Sequence, residues 1–174
     1  MTTLVSYIKK IFLFIIAETF LISCTTLKTI DYDIDSQIIM SQEQTTVTII
    51  LISDLHSCNY GQNQCQLLQV VKKENPDIII FAGDIIDENT KDFPLSNAYT
   101  VLKECAKLCP CFYSTGNHEY YNTLSVEKLK ETISNCGIVV LDGTKKDIHV
   151  HNISLQICGI DDICKDEKIV KNQL

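Results

Sequence analysis

The amino-acid sequence predicts an α/β domain built around a mostly parallel β-sheet. Short runs rich in β-branched residues alternate along the chain with segments whose apolar residues recur at helical spacing. At 45% apolar and 21% charged residues, the composition is that of a globular protein with a sizeable core. Strands that alternate with helices are typical of βαβ units, whose strands run parallel.

Four strands and three helices are predicted in this alternating region. The first strand, 47–53, is a nearly continuous apolar run, which indicates burial on both faces of the sheet. Three more strands follow at 78–82, 111–114 and 138–141. The helices cover 63–75, 96–108 and 126–136, and Ser96 and Ser125 are the expected N-caps of the last two. A hairpin of 148–150 and 153–157, turned at Asn152, follows the last strand.

The first 24 residues are predicted to be a separate targeting segment. Lys9 and Lys10 precede an apolar run, as in an export signal. The segment ends in Leu21-Ile22-Ser23-Cys24, which resembles a bacterial lipobox whose cysteine is lipidated; an uncleaved membrane anchor and a buried helix are the alternatives. Because the lysines precede the run, the positive-inside rule predicts that the domain lies outside the cytoplasm, attached to the membrane.

Residues 25–44 are predicted to form a tether that includes an edge strand. Ile30, Tyr32 and Ile34 alternate with aspartates, and this two-residue period is typical of a strand with one solvent-exposed face. The remaining residues, 45–174, form the predicted domain.

The net charge of −7 argues against a nucleic-acid partner, because such proteins carry basic patches. An acidic protein that handles phosphate needs local positive charge, and bound metal ions can supply it. The nine cysteines could pair in an exported protein, but most are interpreted as small buried apolar side chains. A closed zinc-finger site is not predicted, because the sequence has no C-x-x-C pair.

Three polar clusters follow the first three predicted strands at their carboxyl ends. Asp54 and His56 follow the first strand, Asp84 and Asp87 the second, and Asn117 the third. Ligands of open parallel sheets bind beyond the carboxyl ends of the strands, so we expect the clusters to converge. Carboxylate, imidazole and amide groups together suit Mn, Fe or Zn. A carboxylate that bridges two such ions matches the geometry of in-line displacement at phosphorus.

Each cluster alone could be a turn or a helix cap, but the three in order resemble a known family. Ser53-Asp54-Leu55-His56, Gly83-Asp84-Ile85-Ile86-Asp87 and Gly116-Asn117-His118-Glu119 look like the first three motifs of the calcineurin-like metallophosphoesterases. The resemblance covers about residues 45 to 162. Within that superfamily the chain looks most like bacterial membrane-associated phosphohydrolases of the YkuE type, which also carry a Gly-Ile-Asp-Asp-like segment, here 159–162.

The resemblance implies a role for each matching residue. Asp54 and His56 would bind a first divalent metal ion, Asp84 would bridge to a second, and Asn117 would bind that second ion. His118 would act as general acid or stabilise the phosphoryl charge, with Asp87 orienting its ring. The implied reaction is hydrolysis of a phosphate mono- or diester, on a small molecule or a lipid, by a hydroxide that the two ions activate.

The sequence departs from the family pattern after residue 162. The family's later His-x-Pro-like and Gly-His-x-His segments are absent from the 174 residues. His149 and His151 alternate along a predicted strand and could mimic the missing ligands, although a hairpin edge is the favoured position for them. We therefore expect a weak or empty second metal site and impaired hydrolysis. The resemblance implies the amino-terminal part of a four-layer α/β/β/α sandwich with an uncovered sheet face. A non-catalytic remnant or a membrane-anchored metal-binding protein is the alternative function.

Overall fold

The protein has the predicted α/β fold, as shown by a computed structural model that describes residues 27–34, 46–89, 91, 94–121 and 125–163. The targeting segment predicted for residues 1–24, with its lipobox-like end, lies outside these ranges. Within the ranges, no helix is both long and apolar enough to cross a bilayer. Residues 27–34 form neither helix nor strand and are mostly exposed, so the edge strand predicted around Ile30, Tyr32 and Ile34 is wrong over this stretch.

Four parallel strands form the central sheet in the order β1-β2-β3-β4. These strands are β1 (Ile49–Ile52), β2 (Ile78–Ala82), β3 (Cys111–Ser114) and β4 (Val139–Val140). The registers place Ile50 beside Ile79, and Ile79 beside Cys111. Because all four strands run in the same direction, their carboxyl ends lie at one edge of the sheet. This edge receives the three polar clusters.

Helices connect the parallel strands, as the alternating pattern predicts. They are α1 (Cys65–Lys73), α2 (Leu95–Cys105), α3 (Asn117–Tyr121) and α4 (Val126–Asn135). A short 3₁₀ turn, Gln62–Gln64, precedes α1. Each of the three longer helices buries a stripe of apolar residues, such as Leu129 and Ile133 of α4, while its other side stays polar.

An antiparallel hairpin packs against one face of the sheet. Its strands are β5 (Thr144–Val150) and β6 (Ile153–Gly159), joined by the two-residue turn at His151 and Asn152, as predicted. Val150 of the hairpin joins Ile78, Phe112 and Leu141 in a buried apolar cluster. The described residues thus contain one parallel sheet and a hairpin, and the second sheet of a four-layer sandwich stays an expectation.

The predicted burial of the first strand on both faces is wrong. Ile49 is 46% exposed and Leu51 is 65% exposed, although Ile52 is buried. β1 lies at the edge of the described sheet, and the apolar cluster beneath the hairpin is centred on β2 and β3. The side chains of Ile49 and Leu51 share a face with Ile78 and Ile80 in the register, so an apolar strip beside the hairpin is left open.

The start of one helix differs from the prediction, and the start of another agrees with it. α2 begins after Pro94, and Ser96 is the second helical residue, where its carbonyl accepts a hydrogen bond from the Thr100 hydroxyl. The ring of Pro94 fixes its φ at −61°, its ψ of 134° is extended, and the helix starts after it without a side-chain cap. The Ser125 cap of α4 is confirmed, because its hydroxyl accepts a hydrogen bond from the Lys128 amide at 3.2 Å.

Of the seven described cysteines, only Cys105 and Cys111 are buried. The interpretation of most cysteines as buried apolar side chains is therefore wrong. Cys65 and Cys158 are exposed, and the other three are partly exposed. Burial raises the pKa of the Cys105 thiol to about 12, so this side chain stays a neutral, apolar group of the core at ordinary pH.

Candidate metal centre

The loops that follow β1 and β2 are joined to each other by backbone hydrogen bonds. The amides of Asp54 and His56 donate to the carbonyls of Gly83 and Asp84, at 3.3 and 2.9 Å, and the Ser57 amide donates to the Ile85 carbonyl at 3.0 Å. These bonds extend the pairing of β1 and β2 beyond the strand ends. The first and second polar clusters are thereby fixed side by side, as the sequence predicted from the parallel sheet.

The third loop is joined to the second through a side chain. The His118 amide donates to Asp84 Oδ1 at 2.9 Å, so one oxygen of the expected bridging carboxylate also orients the start of α3. Asn117 is the first residue of this short helix. Asn117 is half-buried and follows Gly116 directly at the carboxyl end of β3.

Two glycines let the second and third loops touch. A Cβ atom on Gly116 would lie 2.4 Å from Asp84 Oδ1 and 2.6 Å from the Asp84 amide nitrogen. A Cβ atom on Gly83 would lie 2.5 Å from the Gly116 nitrogen. No side chain fits at such distances, so the close approach of the two loops requires glycine at both positions.

Several residues of the first two clusters have a left-handed backbone. Asp54, His56, Ser57 and Asp84 have φ values of 54°, 46°, 52° and 52°. Residues other than glycine adopt this conformation at a cost of about 1–3 kcal/mol each, and they do so mostly at functional sites. The backbone hydrogen bonds between the loops offset part of that cost.

Asp54, His56 and Asp84 form a group that can hold a metal ion. One ligand atom from each lies within 4.8 Å of the other two, and His56 Nε2 is 3.9 Å from Asp54 Oδ1. Metal bonds to nitrogen and oxygen are about 2.0–2.2 Å long, so two ligands of one ion are separated by at most about 4.4 Å. The 3.9 Å between His56 Nε2 and Asp54 Oδ1 lies within this limit, and two carboxylates with one imidazole suit a divalent transition metal in chemistry.

His118 lies against His56, and Asp87 lies near both rings. The two ring centroids are 4.3 Å apart in an edge-to-face arrangement. Asp87 Oδ2 is 3.5 Å from His56 Nδ1 and 3.8 Å from His118 Nδ1. Both Nδ1 atoms are buried and have no hydrogen-bond partner among the described residues. A small approach of the Asp87 carboxylate would satisfy either ring, which is how carboxylates orient metal-binding histidines.

The same geometry allows a second grouping. His56, Asp87 and His118 also have ligand atoms within 4.8 Å of one another. Since His56 belongs to both groups, the candidate centre is one continuous set of side chains along the sheet edge. The roles predicted for Asn117, His118 and Asp87 stay predictions, and the structure places all three beside the Asp54, His56 and Asp84 group.

His149 and His151 lie apart from this centre. The Nδ1 atom of His149 is 2.9 Å from the Ser154 hydroxyl across the hairpin. His151 Nε2 forms an ion pair with Asp77 Oδ1 at 3.0 Å. Asp77 immediately precedes β2, so His151 lies at the amino-terminal end of a strand whose carboxyl end carries Asp84. The favoured placement of these histidines at a hairpin edge is confirmed.

Two buried carboxylates beside the centre were not identified from the sequence. Glu119 is fully buried, and its oxygens accept four backbone hydrogen bonds from the second and third loops. Asp161 is also buried; its Oδ1 accepts from the Thr115 hydroxyl at 3.0 Å and lies 2.5 Å from Lys130 Nζ. Both residues lie in segments that the sequence analysis had singled out. Glu119 is the last residue of the third motif, and Asp161 lies in the Gly-Ile-Asp-Asp segment.

A third unpredicted contact secures the loop after His56. Asn97 of α2 donates from its amide nitrogen to the Ser57 carbonyl at 2.9 Å. The buried Gln64 side chain accepts from the Tyr60 amide and donates to the Cys58 carbonyl, each at 2.8 Å. Side-chain amides thus replace regular secondary structure in this loop.

Comparison with known proteins identifies several relatives of this chain. The chain is 34% identical over 79 residues to an uncharacterized metallophosphoesterase of Campylobacter jejuni, covering 44% of this chain and 21% of that protein. It is 30% identical over 120 residues to a transmembrane protein with a metallophosphoesterase domain of Danio rerio, covering 66% and 27%. An uncharacterized metallophosphoesterase of Aquifex aeolicus is 30% identical over 120 residues, covering 68% and 43%.

The alignments thus reach only about a quarter of the length of the first two relatives and less than half of the third. The closeness to the YkuE type stays a prediction. The family model for the calcineurin-like phosphoesterases matches residues 47–163, a stretch that contains the sheet, the hairpin and the whole candidate metal centre. Sequence motifs, fold and family match agree, and the chain belongs to the calcineurin-like phosphoesterase family.

Proposed function

We propose that the domain is a metal-dependent phosphoesterase that hydrolyses a phosphate mono- or diester. The observation that carries this proposal is the group of Asp54, His56 and Asp84, whose ligand atoms lie within 4.8 Å of one another beside His118. When bound, two divalent ions of Mn, Fe or Zn supply the Lewis acidity and the activation of water that phosphoester hydrolysis needs. Phosphorylated small molecules and phosphorylated lipids are the proposed substrates.

The position of each residue suggests which of the two ions it would bind. Asp54 and His56 would hold the first ion, and Asp84 lies between them and α3, where its carboxylate can be shared. Asn117 begins α3 on the far side of Asp84 and would hold the second ion. Asp54 faces solvent with 69% of its side chain exposed, so the ions would sit at an open edge that a substrate can reach.

His118 would supply the proton for the leaving oxygen. Its ring is about one-third exposed, and its buried Nδ1 faces Asp87 at 3.8 Å. A carboxylate behind a histidine fixes the orientation of the ring, so the Nε2 proton would face the substrate. Asp87 would then orient His56 and His118 together.

Hydrolysis by these 174 residues alone is proposed to be weak. Four side chains, namely Asp54, His56, Asp84 and Asn117, are the proposed ligands for two ions. The contacts of His149 and His151 at the hairpin do not favour a substitute role for them. Among the described residues, Asp84 and Asn117 are the proposed ligands of the second ion. A metal-binding module without turnover is therefore the second candidate function.

Attachment to a membrane is part of the same proposal. It rests on the lysines, the apolar run and the lipobox-like end of residues 1–24. One relative, from Danio rerio, is named a transmembrane protein with a metallophosphoesterase domain. Such attachment would hold the domain near phosphorylated lipids, on the outer side of the cytoplasmic membrane.

The experiment that tests the function compares histidine variants. Bis-p-nitrophenyl phosphate is supplied with Mn²⁺, and turnover and bound metal are measured for the parent, His118→Asn and His149→Asn. We expect slow turnover by the parent and a loss of about 10²–10⁴-fold in His118→Asn, with metal content unchanged. His149→Asn is the matched control and should behave as the parent. Equal turnover in all three proteins would show that His118 takes no part in the reaction. Loss of bound metal in His118→Asn would show that His118 is a metal ligand.

A further inference from the structure

Glu119 is the most extensively bonded side chain beside the metal centre. It is completely buried one residue after His118 in α3. Its Oε1 accepts from the amides of Ile85 and Ile86, at 2.8 and 3.3 Å. Its Oε2 accepts from the amides of Asp84 and Gly116, at 2.9 and 2.7 Å. One carboxylate thus binds four N–H groups on two loops that lie more than thirty residues apart in the chain.

The two amides on Oε2 belong to the loops that carry the proposed ligands. Asp84 is the expected bridging ligand, and Gly116 immediately precedes Asn117. A single oxygen atom that accepts from both amides fixes the separation of the two loops. The Asp84 backbone has a left-handed φ of 52°, and the hydrogen bond to its amide helps hold it there.

We propose that Glu119 is a positioning residue of the metal centre, which holds Asp84 and Asn117 at the separation that a shared pair of ions requires. This inference rests on the proposed function of the site in binding metal. Metal ligands must keep their distances within about 0.2 Å, so the loops need a fixed spacer rather than a mobile contact. A buried carboxylate that accepts four hydrogen bonds is such a spacer.

The chemistry of the side chain distinguishes this role from simple filling of space. A glutamine has the same size, but only one of its two terminal atoms accepts hydrogen bonds. In either orientation of the amide, two of the four backbone N–H groups would face an NH₂ group. Glu119→Gln should therefore separate or rotate the loops while the surrounding core keeps its volume.

The test measures the affinity for Mn²⁺ by calorimetry in the parent, Glu119→Gln, Glu119→Asp and Asp77→Asn. Asp77 is the matched control, because it also accepts a backbone hydrogen bond, from the Thr48 amide at 2.8 Å, but at the amino-terminal end of β2. We expect Glu119→Gln to weaken Mn²⁺ binding by about 10–100-fold, as for other residues that orient metal ligands. Glu119→Asp keeps both acceptor oxygens and should recover part of the affinity. Asp77→Asn should lower the unfolding temperature and leave the affinity unchanged.

Amide hydrogen exchange in the metal-free proteins gives a second readout that does not depend on metal. The amides of Asp84, Ile85 and Gly116 should exchange faster in Glu119→Gln than in the parent and in Asp77→Asn. If the parent binds no Mn²⁺, the proposed function fails, and these exchange rates still decide whether Glu119 holds the loops. Parental Mn²⁺ affinity in folded Glu119→Gln, or unchanged exchange at the three amides, would overturn the proposal. If Glu119→Gln does not fold, the comparison of Glu119→Asp with the parent decides by the same two measurements.

Discussion

The contact between the second and third loops makes a strong prediction for Gly116→Ala. The new methyl carbon would lie 2.4 Å from Asp84 Oδ1, whereas real Cβ contacts essentially never fall below 3.0 Å. The Asp84 carboxylate must therefore retreat by at least about 0.6 Å, which is three times the tolerance of about 0.2 Å for a metal–ligand distance. Overpacking of this kind destabilises a fold by about 1–3 kcal/mol. We expect Mn²⁺ affinity to fall by at least about tenfold, because the displaced residue is a ligand.

Gly137→Ala is the matched control for this variant. Gly137 has a left-handed φ of +87°, and a Cβ atom there would meet no other atom within 4 Å. The substitution costs about 1–2 kcal/mol of backbone strain, remote from the metal centre. Gly116 needs no left-handed φ, so the pair separates steric displacement of a ligand from general loss of stability.

The assay combines calorimetric titration with Mn²⁺ and urea unfolding in the presence of a chelator. Both variants should be destabilised to a similar extent, and only Gly116→Ala should lose affinity for Mn²⁺. If Gly116→Ala binds Mn²⁺ as tightly as the parent, then either Asp84 is not a ligand or the two loops are not in contact. If Gly137→Ala loses affinity equally, the effect is one of stability alone.

Three further predictions follow from the described features and the sequence. Asp84→Ala should abolish Mn²⁺ binding in calorimetry, since Asp84 belongs to the ligand group and also accepts from the His118 amide; parental binding would exclude a shared site. The buried Cys105 thiol has a pKa of about 12, so between about pH 9 and pH 12 the unfolded chain releases this proton while the folded chain keeps it. The contribution of Cys105 to the free energy of unfolding should therefore be complete below about pH 9 and should fall by up to about 1.4 kcal/mol per pH unit above it. In urea unfolding at several pH values, the free energy of unfolding should fall less steeply with pH in Cys105→Ala than in the parent, and an equally steep fall would contradict this. In a bacterial host, Cys24→Ser should block labelling by radioactive palmitate, and unchanged labelling would favour the uncleaved anchor.

The fold class could be predicted because the strands and helices have strong local patterns. The runs around Ile79 and Phe112 are β-branched and apolar, and proline or glycine bounds each neighbouring helix. The convergence of Asp54, Asp84 and Asn117 followed from a general property of parallel sheets, so it needed no knowledge of side-chain packing.

The features that could not be predicted depend on packing between distant residues. The exposure of Leu51 is set by the position of its strand in the sheet and by the reach of the hairpin. The burial of Glu119 depends on two loops that meet only in the folded chain. The start of α2 at Pro94 was missed because a serine nearby offered a plausible cap, although proline alone can fix the first turn.

The left-handed backbone at Asp54, His56, Ser57 and Asp84 has a consequence for laboratory evolution. Each of these positions would be less strained as glycine, which adopts positive φ values freely. Selection for heat resistance in the absence of metal would therefore favour glycine at these positions, three of which (Asp54, His56 and Asp84) form the ligand group. Variant libraries of this domain should therefore be selected with metal present. Without metal, the most thermostable variants would be those in which glycine has replaced the candidate metal ligands.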